Sequence, residues 1–304
     1  MKKFLSYLKG SLYNIVKGVF IGIANVIPGV SGGTMMVSFG IYDKMISSVN
    51  NLFKEFKKSV AFLVPIFIGV AIGIVGFSYL IEYLLENQTL PTALAFIGLI
   101  LGGLPIMFAG LRTKQKESGI EKFKLRIQDV IAFVILFAVV VIMPMLKGST
   151  DTMQTLEPGI GNVAMLFFGG IIAAATMVIP GVSGSMVMMI LGFYYGVINL
   201  VTSFFNALLA FDIKALLECC ILIIPFGIGV LLGIFLIAKL IDYLFVNHGI
   251  VTYCAIFGLV LASPIAIIYN TGALSTDFGV VSVIVGVVIM LVLGLGTYIL
   301  GKHE

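Results

Sequence analysis

The sequence predicts an all-α polytopic membrane protein composed of two inverted-topology repeats. Of its 304 residues, 60% are hydrophobic and only 11% are charged, whereas about a quarter of the residues in a soluble domain are charged. Period-2 alternation of apolar residues is absent, which argues against a β-barrel. The apolar residues form six long blocks, at 60–85, 91–111, 130–146, 221–246, 250–269 and 278–300. Each block is close to the roughly 20 residues that a helix needs to cross a bilayer.

An internal repeat organises the chain. At an offset of 152 residues, 26–42 matches 178–194 at 10 of 17 positions, including the unbroken string VIPGVSG. At an offset of 160, 63–101 matches 223–261 at 16 of 39 positions. We therefore divide the chain into a first repeat, 1–150, and a second repeat, 151–304, within one membrane domain. Each repeat is predicted to be a Pro-Gly-broken, re-entrant helical hairpin followed by three transmembrane helices, although a fully spanning hairpin would fit the same pattern.

The number of crossings predicts that the second repeat is inverted. A hairpin returns to its starting side, and three further crossings make the total for each repeat odd. Placing the N-terminus and the loops 53–58 and 112–126 in the cytoplasm puts 16 of the 18 Lys and Arg residues on or toward that side, in agreement with the positive-inside rule. The C-terminus is then cytoplasmic as well, and the expected location is the plasma membrane. Inverted repeats with broken helices are typical of secondary transporters, which bind their substrate near the midplane.

The PGVSG string of each repeat predicts an interrupted helix. Pro28 and Pro180 disfavour helix in the residue before them, and Ser31 and Ser183 can serve as N-caps of the helices that begin next. The free N-H groups and the dipole of such helix ends suit a phosphate or a carboxylate. The predicted anion-binding residues are Gly29, Ser31, Gly32, Gly33, Thr34, Gly181, Ser183, Gly184 and Ser185. The alternative is a Pro-kinked helix pair whose small residues only permit tight packing.

Several other polar residues are candidates for accessory roles. Asn25 and Lys17 precede the first interruption; Lys17 could attract an anion, or its side chain could extend to the cytoplasmic interface. Glu82 and Asp242 occupy equivalent positions in the two repeats and could carry a coupling proton, or they could simply reach the interface.

The 112–126 loop carries six basic residues. Of these, Arg112, Lys114 and Arg126 are candidates for attracting anionic head groups, although the loop could equally serve only to fix topology.

Composition argues against catalysis and metal binding. The three cysteines and two histidines lack metal-ligand spacing, so we expect no metal and no cofactor. Convergent acids or histidines of the kind that enzymes use are also missing from the apolar segments. We therefore expect a transporter rather than an enzyme.

The strings GIANVIPGVSGGTMMVSFGIYDKMI (22–46) and MVIPGVSGSMVMMILGFYYGVI (177–198) resemble a family of bacterial and archaeal membrane proteins. This family was catalogued as domain of unknown function 368 and is now regarded as undecaprenyl-phosphate translocases. The resemblance implies a substrate, undecaprenyl phosphate, which is returned to the inner leaflet for reuse in peptidoglycan and other envelope glycans. Membrane lipids are the other expected partners, nucleic acid is not expected, and coupling to protons or sodium is one option. A secondary transporter of a soluble anion is the alternative.

Overall fold

A computed structural model describes residues 2–26, 30–146, 158–192, 194–275 and 278–302. Within these ranges the chain is helical and contains no strand. The helices are α1 (Lys2–Val26), α2 (Gly32–Ser38), α3 (Tyr42–Asn50), α4 (Phe56–Asn87), α5 (Thr89–Glu117), α6 (Ile127–Ile142), α7 (Ile160–Val178), α8 (Gly184–Ile190), α9 (Tyr194–Leu209), α10 (Ile213–Thr271) and α11 (Val280–Gly301), with a 3-10 turn at Met143–Leu146. Among the described residues, six helices are long and apolar enough to cross a membrane: α4, α5, α6, α7, α10 and α11. The prediction of an all-α polytopic membrane protein is confirmed.

Helix α10 consists of two helical segments that meet at His248, where the backbone is non-helical (φ −135°, ψ 37°). The equivalent residue of the first repeat, Gln88, separates α4 from α5 with nearly the same angles (φ −139°, ψ 49°). The two turns are held by the same side-chain bonds. The Thr92 hydroxyl donates to the Leu84 and Gln88 carbonyls at 3.2 and 2.7 Å, and the Thr252 hydroxyl to the Leu244 and His248 carbonyls at 3.0 and 2.9 Å.

Glycines set the packing of the first helix of each repeat against its first long spanning helix. A Cβ atom at any of four glycines would collide with a backbone carbonyl of the facing helix, so the helix backbones touch there. The contacts pair Gly18 with Ile66, Gly69 with Ile15, Gly170 with Phe226, and Gly229 with Phe167. The two second-repeat pairs correspond to the first-repeat pairs at the sequence offsets of 152 and 160. The α1–α4 and α7–α10 pairs therefore pack in the same register, with both helices of each pair running in the same direction.

The last helix of each repeat packs against a helix of the other repeat. A Cβ atom at Gly98 of α5 would meet the backbone of Met290 in α11. At the equivalent position in the second segment of α10, a Cβ atom at Gly258 would meet the backbone of Phe133 in α6. The two repeats thus exchange their final helices.

Contacts divide the chain into two compact units that do not follow the repeats. One unit contains Met1–Pro144, Ile179–Val182 and Ala238–Glu304, and the other contains Met145–Val178 and Ser183–Ile237. In the first unit, Phe39, Ile41 and Ile100 are fully buried. In the second unit, Leu166 and Leu222 form the centre of a smaller apolar core.

Each hairpin contains a second interruption in addition to the one that the PGVSG string predicts. Helix α2 ends at Ser38 and α3 begins at Tyr42, with Gly40 between them at φ +70°. Gly192 follows α8 in the same way at φ +80°. Because L-residues rarely adopt a positive φ, glycine permits both turns. The returning arm of each hairpin is therefore a seven-residue helix followed by a turn and a longer helix.

Candidate functional site

Helices begin immediately after Ser31 and Ser183, as the sequence predicts. Both serines have extended backbone angles (φ −106°, ψ 133° and φ −88°, ψ 116°). The first helical bonds run from the Met35 N-H to the Ser31 carbonyl at 3.2 Å and from the Val187 N-H to the Ser183 carbonyl at 3.1 Å. Neither serine side chain caps its helix. Ser31 and Ser183 are thus the N-cap residues by position, as predicted, but without a side-chain bond to the helix, and the Ser31 hydroxyl donates to a distant partner instead.

The side chains of the first motif contact the backbone of the second motif in the protein interior. The Thr34 hydroxyl accepts a hydrogen bond from the Gly181 N-H at 2.6 Å. The Ser31 hydroxyl lies 3.5 Å from the Ile179 carbonyl, to which it donates. Thr34 is 0% exposed and Ser31 is 4% exposed. The structure therefore brings Ser31 and Thr34 of the first motif against Ile179 and Gly181 of the second, and in this conformation both hydroxyls bond to the backbone of the second motif.

Close backbone approach explains the glycine at position 181. Gly181 has φ +78°, and a Cβ atom there would lie 2.7 Å from the Leu259 carbonyl oxygen. A side chain would therefore suffer both backbone strain and a collision with α10. The second motif is thus seated against the helix that follows the His248 turn.

The glycine that opens each short helix contacts the end of the preceding helix. A Cβ atom at Gly32 would lie 2.8 Å from Asn25 Nδ2, and a Cβ atom at Gly184 would lie 2.8 Å from Met177 Cγ. Asn25 and Met177 are equivalent residues of the two repeats. The Asn25 amide also donates to the Ile21 carbonyl at 3.0 Å. The first repeat therefore places a polar amide where the second places a thioether.

The structure describes only some of the remaining motif residues. Gly33 is buried within α2. Gly29 lies outside the described residues, and so does the side chain of Ser185. The Ser38 hydroxyl, buried one turn after Thr34, donates to the Thr34 carbonyl at 3.0 Å. The Thr34 side-chain oxygen takes no part in this bond and faces the second motif.

Lys17 is enclosed by protein. Its side chain is 2% exposed, and it shares a helix face with the buried residues Ile21 and Ala24 at spacings of four and seven residues. This burial argues against extension of the side chain to the membrane interface. A lysine buried in an apolar helix is a candidate for a functional role.

Glu82 and Asp242 both lie on exposed faces of their helices. The residue before each of them, Ile81 or Ile241, is buried, so the two acids face away from the protein interior in the same way. Their position adds nothing in favour of a coupling role, which stays a prediction.

Arg112 organises the loop that follows α5. Its guanidinium donates to Gln115 Oε1 at 2.6 Å and to the Glu121 carbonyl at 2.8 Å. The guanidinium also lies 5.9 Å from the centre of the Phe123 ring. These contacts give Arg112 a structural role in the loop. Its attraction for lipid head groups stays a separate prediction.

Lys114 and Arg126 stand at the two ends of the same loop. The Lys114 ammonium pairs with Glu117 at 2.9 Å. The Arg126 N-H donates to Asp129 Oδ2 at 2.7 Å at the start of α6, and the Arg126 side chain is exposed. Of the three basic candidates, Arg126 is the most accessible to a lipid head group.

Sequence reasoning missed a cavity beside the first hairpin. The cavity has a volume of about 510 Å³, and the residues that line it include Val37, Gly40, Asp43 and Tyr253. The Tyr253 hydroxyl donates to Asp43 Oδ2 at 2.9 Å. The available signal was that Asp43 is the first acidic residue of the chain and the only one in the first hairpin motif and its returning arm, 25–50.

Comparison with known proteins places the chain in a family. The profile of a family described as undecaprenyl phosphate translocase-like matches residues 21–263. A polyprenyl-phosphate transporter of Staphylococcus aureus (strain NCTC 8325 / PS 47) is 31% identical over 284 residues, which cover 92% of this chain and 95% of that protein. A polyprenyl-phosphate transporter of Vibrio cholerae serotype O1 (strain ATCC 39315 / El Tor Inaba N16961) is 28% identical over 267 residues, which cover 83% and 76%. No solved structure matches the chain. The chain therefore belongs to the undecaprenyl phosphate translocase-like family.

Proposed function

We propose that this protein transports undecaprenyl phosphate across the cytoplasmic membrane and returns it to the inner leaflet for reuse in peptidoglycan and other envelope glycans. The relatives named polyprenyl-phosphate transporters support the substrate class. The observation that carries the proposal is the contact between the Thr34 hydroxyl and the Gly181 N-H. It joins two interrupted helices at one buried point, where a charged head group could exchange its water for protein donors.

The phosphate group is proposed to bind where Thr34 now bonds to Gly181. A lipid phosphate that enters hydrocarbon loses its hydration, which is very costly for an isolated ion. Hydroxyl and amide donors can replace that hydration, and hydrogen bonds to a charged group are stronger than the neutral bond that they would displace. We propose that substrate binding separates Thr34 from Gly181 and presents both groups, with Ser31, to the phosphate.

Inversion of the second repeat supplies the route for alternating access. Helix α11 runs parallel to α5, because Gly98 and Gly102 of α5 contact Met290 and Gly294 of α11 in the same order. Helix α11, the third spanning helix of the second repeat, therefore runs in the same direction as α5, the second spanning helix of the first repeat. If successive spanning helices alternate in direction, the equivalent helices α6 and α11 run in opposite directions. This relation and the loop charges support inverted repeats with both termini in the cytoplasm.

The proposal is tested by reconstituting the protein in liposomes and following the exposure of labelled undecaprenyl phosphate in each leaflet. Thr34→Val keeps the shape of the side chain and removes its hydroxyl. Because a bond to a charged group is lost, we expect affinity for the lipid to fall about tenfold or more. Thr34→Ser should retain most of the affinity. Thr202→Val, which removes an exposed hydroxyl bonded within α9, is the matched control.

A second variant tests the helix starts that follow the two motifs. Replacing both Ser31 and Ser183 with leucine should block the site and abolish exchange between leaflets. If this double variant and Thr34→Val both exchange lipid at the wild-type rate, the site is elsewhere. If the wild-type protein leaves the lipid in place but moves inorganic phosphate, the substrate is a soluble anion.

A further inference from the structure

The cavity beside the first hairpin contains one carboxylate that has no role in the site described above. Asp43 is the second residue of α3, nine residues after Thr34, and lines the cavity together with Val37 and Gly40 of the same arm. Asp43 is exposed as a residue, although protein surrounds most of its carboxyl group. The opposite wall carries Tyr253, in the second segment of α10, whose hydroxyl donates to Asp43 Oδ2 at 2.9 Å. This bond ties the arm that carries Thr34 to the helix on which Gly181 is seated.

Charged and titratable groups approach Asp43 from three helices. They are Tyr42 and Lys44 on α3, Lys114 on α5 and Tyr253 on α10, with Glu117 acting in turn on Tyr253. Of the two cations, Lys114 also pairs with Glu117 at 2.9 Å, and the Lys44 ammonium lies 4.7 Å from the centre of the Phe62 ring.

The surroundings of Asp43 favour its neutral form. Loss of water around the carboxyl raises the pKa of Asp43, while the Tyr253 hydrogen bond and the Lys114 charge act in the opposite direction. The net change is upward. The proton is therefore held over a higher pH range than on an ordinary aspartate.

We propose that Asp43 is the carboxylate that binds a proton during the transport cycle, an inference that rests on the proposed function. A phosphate that leaves the motif toward this cavity approaches a like charge, and protonation of Asp43 removes the repulsion. An ionised carboxylate also accepts a stronger hydrogen bond than a neutral one. When Asp43 takes a proton from water in the cavity, the phosphate can approach without repulsion and the hydrogen bond from Tyr253 weakens. The proton returns to water when the carboxyl ionises again.

The test measures leaflet exchange of labelled undecaprenyl phosphate between about pH 5 and pH 8, with equal pH on both sides. The second ionisation of a phosphate monoester, near pH 6, affects every variant equally, so the informative quantity is the rate of each variant relative to wild type. Asp43 loses its proton as pH rises, so wild-type exchange falls. Asp43→Asn stays neutral, and its relative rate should rise with pH.

Two further variants test whether the pH dependence of lipid exchange comes from Asp43 and in which direction it shifts. Tyr253→Phe removes a donor that stabilises the ionised carboxyl, so the midpoint of the Asp43-dependent component should move up by about one pH unit. Glu55→Gln alters an exposed carboxylate paired with Lys58, outside the cavity, and should keep the wild-type profile. If Asp43→Asn does not fold, the direction of the Tyr253→Phe shift decides.

A constant ratio of Asp43→Asn to wild-type rates would overturn the inference, and so would a downward or absent shift in Tyr253→Phe. A pH profile flattened by Glu82→Gln or Asp242→Asn would also overturn it. Each of these results leaves lipid exchange by the wild-type protein intact. Failure of the wild-type protein to exchange the lipid at any pH would instead refute the proposed function.

Discussion

At the residue scale, Gly181 combines two independent obstacles to a side chain. Its positive φ of +78° and the 2.7 Å approach to the Leu259 carbonyl both exclude a Cβ atom. Left-handed backbone angles alone disfavour a non-glycine residue by about 1–2 kcal/mol. We expect Gly181→Ala to lower the melting temperature of the purified protein and to displace the second motif from Thr34.

The control for this prediction is Gly76→Ala. A Cβ atom at Gly76, within α4, meets nothing within 4 Å, and alanine favours helix over glycine by roughly 0.5–1 kcal/mol. This variant should be as stable as wild type or more so. Equal melting temperatures for the two alanine variants would show that the strained turn at Gly181 is absent.

A second residue-scale prediction concerns Arg112, whose planar guanidinium holds Gln115 and the Glu121 carbonyl simultaneously. Lysine keeps the charge but cannot reproduce this fork. Arg112→Lys should increase hydrogen exchange of residues 118–126, whereas replacement of the exposed neighbour Lys116 with alanine should not. Unchanged protection in Arg112→Lys would mean that the positive charge alone orders the loop.

Residue-level prediction from the sequence succeeded for the backbone and failed for the side chains. The local preferences of proline, glycine and serine placed the helix starts at Ser31 and Ser183. The partner of the Ser31 hydroxyl, the Ile179 carbonyl, lies 148 residues away, and no local pattern specifies it. Lys17 was ambiguous for the same reason, because burial of its side chain depends on the helices that surround it.

At the element scale, glycines decide which helix faces approach closely. Gly229 and Gly227 are two residues apart in α10, yet only Gly229 would place a Cβ atom against the Phe167 carbonyl of α7. We expect Gly229→Ala to force the two helices apart and to destabilise the protein by about 1–3 kcal/mol. Gly227→Ala, which points into open space, should be neutral. Thermal unfolding in detergent measures both, and equal midpoints would contradict this packing.

Element boundaries were largely predictable because hydropathy and proline mark them. The turns at Gln88 and His248 fall between the predicted apolar blocks. The interruptions at Gly40 and Gly192 were missed because each is one glycine in an apolar run, and such a glycine is also tolerated within a helix. Their positive φ values follow from packing that periodicity does not show.

At the scale of the whole molecule, the exchange of final helices between the repeats could not be derived from the sequence. Apolar spanning helices such as α6 and α11 are hydrophobic on every face, so their pattern does not identify a neighbour. The glycines at 98 and 258 reveal the partners only once the backbones are in place. Because of this exchange, a movement of one repeat would act directly on a helix of the other.

The inversion itself is tested by two equivalent positions. Asn87 and Asn247 donate to the Tyr83 and Tyr243 carbonyls at 2.9 and 2.8 Å in the two repeats, and both are exposed. After removal of Cys219, Cys220 and Cys254, a single cysteine at each position is treated in intact cells with a membrane-impermeant maleimide. Asn87→Cys should react from outside, whereas Asn247→Cys should react only after the cells are opened, as should the loop control Lys57→Cys. Labelling of Asn87→Cys and Asn247→Cys from the same side would mean that the repeats are parallel. That result would contradict the inverted-repeat arrangement on which the proposed alternating access rests.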